Sequence, residues 1–130
     1  MERSSGAAPP RQLLTVGVER ANGDISIISL SGELDLATIP ALEAKLFEEV
    51  GSRTAVIVDL TRLTFIDSSG IGLLIKAYRA KEDSARAELH TVIAGRSQVE
   101  RVFRLAGIDR ALPVHLDLSD ALALLGDRGS

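Results

Sequence analysis

The sequence has no cysteine and no tryptophan, and its aromatic residues are three phenylalanines and one tyrosine. Without cysteine there is no disulfide framework, no zinc–thiolate site and no thiol nucleophile. Phe47, Phe65, Phe103 and Tyr78 are scattered singly, so no stacking platform for bases is visible. A basic surplus is also missing: the formal charge is −3, which argues against a nucleic-acid partner. No apolar run approaches the roughly 20 residues that span a bilayer. The opening MERSSGAAPPRQ lacks an apolar signal core, so no membrane association and a cytoplasmic location are expected. What remains is a chain of 130 residues, 45% hydrophobic and 25% charged, the composition of one globular domain. With so few aromatics its core must come from Leu, Ile, Val and Ala.

Along the chain, residues 1–11 are small, polar and proline-bearing and read as a disordered arm, residues 12–125 as the domain, and 126–130 (GDRGS) as a disordered tail. Leu13 to Val18 reads as a strand, Asn22-Gly23 as a hairpin turn, and Ile25 to Leu30 as an antiparallel second strand. Ser31-Gly32-Glu33-Leu34-Asp35 is expected to break that strand with a turn. Thr38 is placed to cap a helix, with Pro40 in its first turn, Leu42 and Leu46 at helical spacing, and Gly51 at its end. Ala55 to Val58 is a β-branched run suited to a strand covered on both faces, ending in Asp59-Leu60. A connection, Thr61 to Ile66, leads to a helix from Asp67-Ser68-Ser69-Gly70 to about Lys81, with Ile71, Leu74, Ile75 and Tyr78 as its apolar stripe. Leu89 to Ala94 is the next strand. Ser97 and Glu100 form a capping box for a helix with Val99, Val102, Phe103 and Ala106 inward, closed by Gly107. Pro113 to Leu116 is a short strand, and Ser119 caps a last helix, Asp120 to Leu125. The order ββαβαβαβα predicts an α/β fold with a mixed sheet, an opening hairpin followed by mostly parallel strands, and about four helices. Right-handed crossovers then gather the strand-to-helix loops on one edge, where such folds usually keep their function.

One segment stands apart: Phe65-Ile66-Asp67-Ser68-Ser69-Gly70-Ile71-Gly72. Two glycines in a helix's first turn each cost about 1 kcal/mol relative to alanine. Their use is close backbone approach, to the sheet or to something from outside. The free N–H groups of a first turn and the helix dipole tolerate negative charge, a phosphate on a serine there included. A plainer reading stands beside this one and leads on spacing alone: Asp and Ser are favoured caps, and the glycines let the helix sit tightly on the sheet.

Four motifs tip the balance. Ser31-Gly32-Glu33-Leu34-Asp35, the strand Val56-Ile57-Val58-Asp59-Leu60, FIDSSGIG at Phe65–Gly72, and VFRLAGID at Val102–Asp109 with Pro113-Val114 together resemble the anti-sigma-factor antagonists of the STAS class. These are small bacterial regulators of alternative sigma factors, and the resemblance extends over about residues 12–125. It implies a STAS-type fold and a non-enzymatic partner switch without a cofactor. Its partner would be an anti-sigma factor with serine kinase activity. The unmodified chain would bind that factor and free a sigma factor; phosphorylation on Ser68 would break the complex, and a serine phosphatase would restore it. The free protein is expected to be monomeric. The surroundings of the phosphosite would be Asp35, Asp67, Ser69, Gly70, Ile71, Gly72 and Leu73, with Ile71 and Leu73 offered as an apolar patch that core packing would equally explain for Ile71. Asp35 reads equally as a turn former, Asp67 as the helix cap, and Ser69 as a second candidate hydroxyl. A phosphate adds about −1.5 to −2 charges beside Asp67.

Other readings fare less well. Ser68 is in no G-x-S-x-G elbow, Gly70 and Gly72 lack the third glycine of a dinucleotide loop, and no phosphate-binding G-x-x-x-x-G-K-[ST] is present, so an enzyme is not expected. A receiver-type domain phosphorylated on Asp59 would need neighbouring carboxylates for magnesium, and the first strand ends without an acid pair. A STAS module of another signalling or scaffold assembly remains the main alternative. His90 and His115 show no ligand spacing and read as structural. Arg96, Arg101, Arg104 and Arg110 read as a solvated face around the third helix.

Overall fold

Aliphatic residues on five strands build the sheet, and the computed structural model describes the chain over residues 13–21, 24–52, 55–82 and 88–129. In chain order the elements are β1 (Thr15–Ala21), β2 (Ile25–Leu34), α1 (Ile39–Ser52), β3 (Ala55–Ile66), α2 (Ser68–Glu82), β4 (Glu88–Val92), α3 (Gln98–Ala106), a 3-10 turn (Ile108–Arg110), β5 (Val114–His115) and α4 (Leu118–Gly129). The strands lie side by side in the order β1-β2-β3-β4-β5, with β1 antiparallel to β2 and the rest parallel. This is the expected mixed sheet with its opening hairpin and four helices. The arm at residues 1–11 and the Asn22-Gly23 turn lie outside the described residues.

Strand alternation divides the core in two. Ile28, Leu30, Val56, Val58 and Leu60 face one way and pack with Leu42 and Leu46 of α1, Leu74 and Ala77 of α2, and Val99 and Phe103 of α3. Ile25, Ile27, Ala55 and Ile57 face the other way, under Ala121 and Leu125 of α4. Helix α1 carries one buried acid, Glu49, which accepts a hydrogen bond from Ser26 Oγ at 2.6 Å and pairs with Arg20 at 3.1 Å. A buried carboxylate is tolerated only with such partners.

Two expectations of length fail together. β2 continues through Ser31–Leu34, where a turn is expected, and β3 continues through Thr61–Ile66, where a connection is expected. The two extensions pair with each other, Ser31 with Arg62, Gly32 with Leu63, Glu33 with Phe65 and Leu34 with Ile66. Register shifts between Ser29 and Ser31 and between Gly32 and Glu33 each give β3 an extra residue. The period-two pattern is thereby broken twice, which hides the strand in the sequence. Gly32 takes φ +112, and a Cβ there would stand 2.2 Å from the Leu13 carbonyl oxygen, so glycine alone fits.

Helix ends also move. Gly51 lies inside α1, which closes at Ser52 with its hydroxyl on Glu48 O at 2.8 Å. The Ser97 cap holds, its Oγ accepting from Glu100 N at 3.0 Å, but Glu100 Oε1 reaches back to Arg96 N at 2.7 Å rather than to Ser97. Gly107 closes α3 in the left-handed region at φ 67, whereas Ala106 is exposed and not inward. Asp117, not Ser119, caps α4, and that helix continues past Leu125 to Gly129.

The two glycines of α2 differ. A Cβ on Gly70 would lie 2.8 Å from Ile66 Cγ1 and 2.9 Å from Leu34 Cγ, whereas one on Gly72 meets nothing within 4 Å. Leu34 and Ile66 are fully buried and have no room to yield. Gly70→Ala is therefore expected to lower the melting temperature, overpacking of about 1–3 kcal/mol outweighing the propensity gain. Gly72→Ala should raise it by a few degrees, for about 1 kcal/mol of recovered helix propensity. Thermal melts of the two variants check this; shifts of the same sign would contradict the packing.

Candidate functional site

Leu34 and Ile66 are register partners at the ends of two adjacent parallel strands, so the chain leaves the sheet at neighbouring points. Asp35 follows the first and Asp67 the second, and their turns are stitched together. The Asp67 N–H donates to Leu34 O at 3.2 Å, and the Leu36 N–H donates to the Asp67 carboxylate. Asp35 acts as a turn former: its Oδ1 accepts from Ala37 N at 3.0 Å and Thr38 N at 3.1 Å. Thr38 stands at the helix boundary as expected, but its hydroxyl turns backward, accepting from Asp35 N at 3.0 Å and donating to Glu33 O at 2.8 Å.

Asp67 caps α2 through a single oxygen. Its Oδ1 accepts from Ser69 N at 2.9 Å, Gly70 N at 3.1 Å and Ser69 Oγ at 2.6 Å. Burial pushes this carboxyl's pKa up; the Ser69 hydroxyl and the Gly70, Ser69 and Leu36 N–H groups push it down and prevail, so it sits below the ordinary value of 3.8. The two candidate serines are thus unlike. Ser69 is half-buried and commits its hydroxyl to Asp67, whereas Ser68 is exposed and its side chain makes no hydrogen bond among the described residues. The same cap recurs at α4, where Asp117 Oδ1 accepts from Ser119 N at 2.9 Å and Ser119 Oγ at 2.8 Å.

Ser68 opens an exposed helix face. Gly72 follows four residues on, exposed and bare, and Lys76 four further, within 3.8 Å of Glu43 and over the Phe47 ring of α1. Ile71 and Leu73 do not form the offered apolar patch: they are 7% and 5% exposed and belong to the core. The reason is that α2 packs on α1 as well as on the sheet, which widens its buried arc beyond one stripe. The exposed apolar side chains of this edge are instead Leu36, 76% exposed, and Phe65, 38% exposed. Sequence reasoning offered neither as a contact residue, although Phe65 opens the FIDSSGIG motif, since neither belongs to a periodic pattern.

Asp59 lies in mid-strand and not at the end of β3, its Oδ1 taken by Thr61 N at 3.0 Å and Thr61 Oγ1 at 2.8 Å. It lines a groove of about 330 Å³ with Glu19, Ser29, Arg62 and Leu118. Among the described residues no group of three His, Cys, Asp or Glu is placed to hold a metal ion, and no helix is long and apolar enough to cross a membrane. His90 and His115, unrelated by spacing, meet: Nδ1 of His90 is 2.9 Å from Nε2 of His115, and Glu88 holds the other nitrogen of His90 at 3.0 Å. Adjacent strands bring them together, since Val92 pairs with His115.

A mixed sheet whose parallel strands lead into helices along one edge, with the exposed Ser68 hydroxyl at the start of α2, marks a small α/β protein. The STAS domain family model matches residues 18–121, and the chain belongs to that family. It is 33% identical to the anti-sigma-F factor antagonist RsfB of Mycobacterium tuberculosis over 117 residues, 89% of this chain and 91% of the relative. Its fold superposes on the crystal structure of an anti-sigma factor antagonist from Mycobacterium paratuberculosis with TM-score 0.78 and 32% identity, over 85% of this chain and 92% of that one. The phosphorylated form of the Bacillus cell fate determinant SpoIIAA matches with TM-score 0.63 and 27% identity, over 85% and 99%.

The cap has a pH signature. Because the folded chain holds the Asp67 proton less readily than the unfolded chain, the carboxylate's stabilisation is full above 3.8 and is lost as pH falls through the lower folded value. Asp67→Ala should cost about 1–2 kcal/mol at pH 7, as for other lost caps. Urea unfolding at pH 7 and pH 3 checks this, the gap to wild type narrowing at the lower pH.

Proposed function

We propose that this protein is an anti-sigma factor antagonist, a regulatory binding protein and not an enzyme, whose docking to an anti-sigma factor is switched by phosphorylation of Ser68. The observation that carries the reading is the contrast between two adjacent hydroxyls: Ser69 is tied to Asp67 at 2.6 Å, and Ser68 is exposed with none of the described groups bonded to it. The names of the relatives support the antagonist role, and a relative solved in a phosphorylated form supports the modification.

In the unmodified state the partner meets a face with little relief, Ser68 and bare Gly72, bordered by the exposed side chains of Leu36 and Phe65. That partner is an anti-sigma factor with serine kinase activity. In the transfer, Ser68 Oγ bonds to the terminal phosphorus of ATP, the bond to the ADP oxygen breaks, and the hydroxyl proton leaves to a base. Asp67 is engaged by the Ser69 hydroxyl and three N–H groups, which hold its pKa below the ordinary value and make it a poor proton acceptor, so we assign that base to the kinase. The product carries about two further negative charges beside Asp67. The helix dipole offsets about 0.3–1 kcal/mol of their cost within the chain. A docked partner surface would instead face desolvation and like-charge repulsion worth several kcal/mol. The switch therefore acts on the interface and leaves the fold alone. A serine phosphatase resets it, the free protein is a monomer, and a cytoplasmic location goes with such a circuit.

Incubation with the source organism's anti-sigma kinase and radiolabelled ATP should give one phosphorylated species. Ser68→Ala should abolish labelling and keep binding; Ser69→Ala should still be labelled. Ser68→Asp should weaken binding by about tenfold or more with little change in melting temperature. Full labelling of Ser68→Ala would overturn the assignment.

A further inference from the structure

The end of β3 is held by a side chain from another helix. Gln98, the first residue of α3, accepts a hydrogen bond from Ile66 N on its Oε1 at 2.9 Å and donates from Nε2 to Ile66 O at 2.9 Å. A primary amide thus takes the place of a neighbouring strand at the last residue before the Asp67 cap. Ile66 is fully buried, so its N–H and C=O have no water to turn to, and each would be costly to leave unpaired.

Gln98 is itself rigidly placed. Ser97 Oγ donates to Ala94 O at 2.6 Å and accepts from Glu100 N at 3.0 Å, and Glu100 Oε1 accepts from Arg96 N at 2.7 Å. These bonds hold Arg96 in the left-handed region at φ 60, a conformation uncommon outside glycine. The sharp entry into α3 aims its first side chain at β3. A glutamine in a helix's first turn carries no such message in the sequence, since it is neither a strong cap nor a core residue.

We infer that Gln98 is a positioning residue for the phosphorylation of Ser68: its two-point clamp on Ile66 fixes where β3 ends and therefore where the Asp67–Ser68 helix start stands. The inference rests on the reading of Ser68 as phosphoacceptor. Loss of the clamp frees the strand end while the cap on Asp67 and the core under α2 persist. A misplaced acceptor is felt in the transfer step more than in binding, because the phosphoryl group passes only to an oxygen held in line.

The test compares Gln98→Met, which keeps length and helix propensity and loses both hydrogen bonds, with Val102→Ala, which removes packing of α3 on the core and leaves the clamp and the bonds that aim it. Gln98→Ala serves as a second clamp-free variant should methionine disturb folding. With the same anti-sigma kinase and labelled ATP, the clamp-free variant should lose about tenfold or more in kcat with KM nearly unchanged. Its Ile66 amide should exchange with deuterium about tenfold or more faster than in wild type. Val102→Ala should show neither change at a similar loss of melting temperature. Wild-type kcat in both Gln98 variants, or equal losses in Val102→Ala, would overturn the positioning role and leave Ser68 as acceptor. A wild-type chain that takes no label on Ser68 would overturn the phosphoacceptor reading, and this inference with it.

Discussion

One carboxylate oxygen sets the chemistry of the exposed edge. Asp67 Oδ1 gathers two backbone N–H groups and the Ser69 hydroxyl, and so decides at once where α2 begins, which hydroxyl is occupied and which is left to solvent. The oxygen sits in place because the strand before it is pinned on both flanks. Leu34 O receives the Asp67 N–H on one side, and the side-chain amide of Gln98 grips Ile66 on the other. Beneath, Gly70 lets the helix approach Leu34 and Ile66 more closely than any Cβ would permit. The start of α2 is therefore over-determined, held from the strand before it, from the cap and from the core beneath.

The fold was largely legible because its aliphatic pattern is simple. Five β-rich runs and the helical spacings between them lead to the mixed sheet and its loop-bearing edge, whereas the side-by-side order of the strands comes from the structure alone. Legibility failed where one local rule met two different causes. The bulged pairing of β2 with β3 breaks alternation twice, so Ser31–Leu34 and Thr61–Ile66 read as turn and connection although both are strand. Leu73 reads as exposed and Ile71 as ambiguous because helical periodicity cannot reveal that α2 leans on α1 as well as on the sheet. At the site, Asp67 as cap was plain from residue type, whereas close approach was read for Gly70 and Gly72 alike and only Gly70 makes it. The difference between Ser68 and Ser69 was not plain, since it depends on which hydroxyl the cap captures. Gln98 and the meeting of His90 with His115 were invisible, because each joins segments far apart in the chain.

The two layers of the molecule divide its labour. Three helices cover one face of the sheet and bury most of the aliphatic core, while α4 alone covers part of the other. Burial on the first face anchors α1, α2 and α3, whose starts all lie at the carboxyl ends of the parallel strands. Tight packing there transmits position, not flexibility, to the loops. Charge added at such an edge changes what can dock on it while the aliphatic layers beneath remain untouched.

The paired starts of α2 and α4 carry a last lesson. In each, an aspartate and the serine two places later close on one another, and the residue between them is left out of the closure. That middle seat is chemically idle as far as the helix is concerned, so evolution can fill it for other ends. In α4 it holds Leu118, turned to grease the second core; in α2 it holds Ser68. A group added at such an idle seat would break no bond the helix start uses, so the scaffold tolerates change there without refolding.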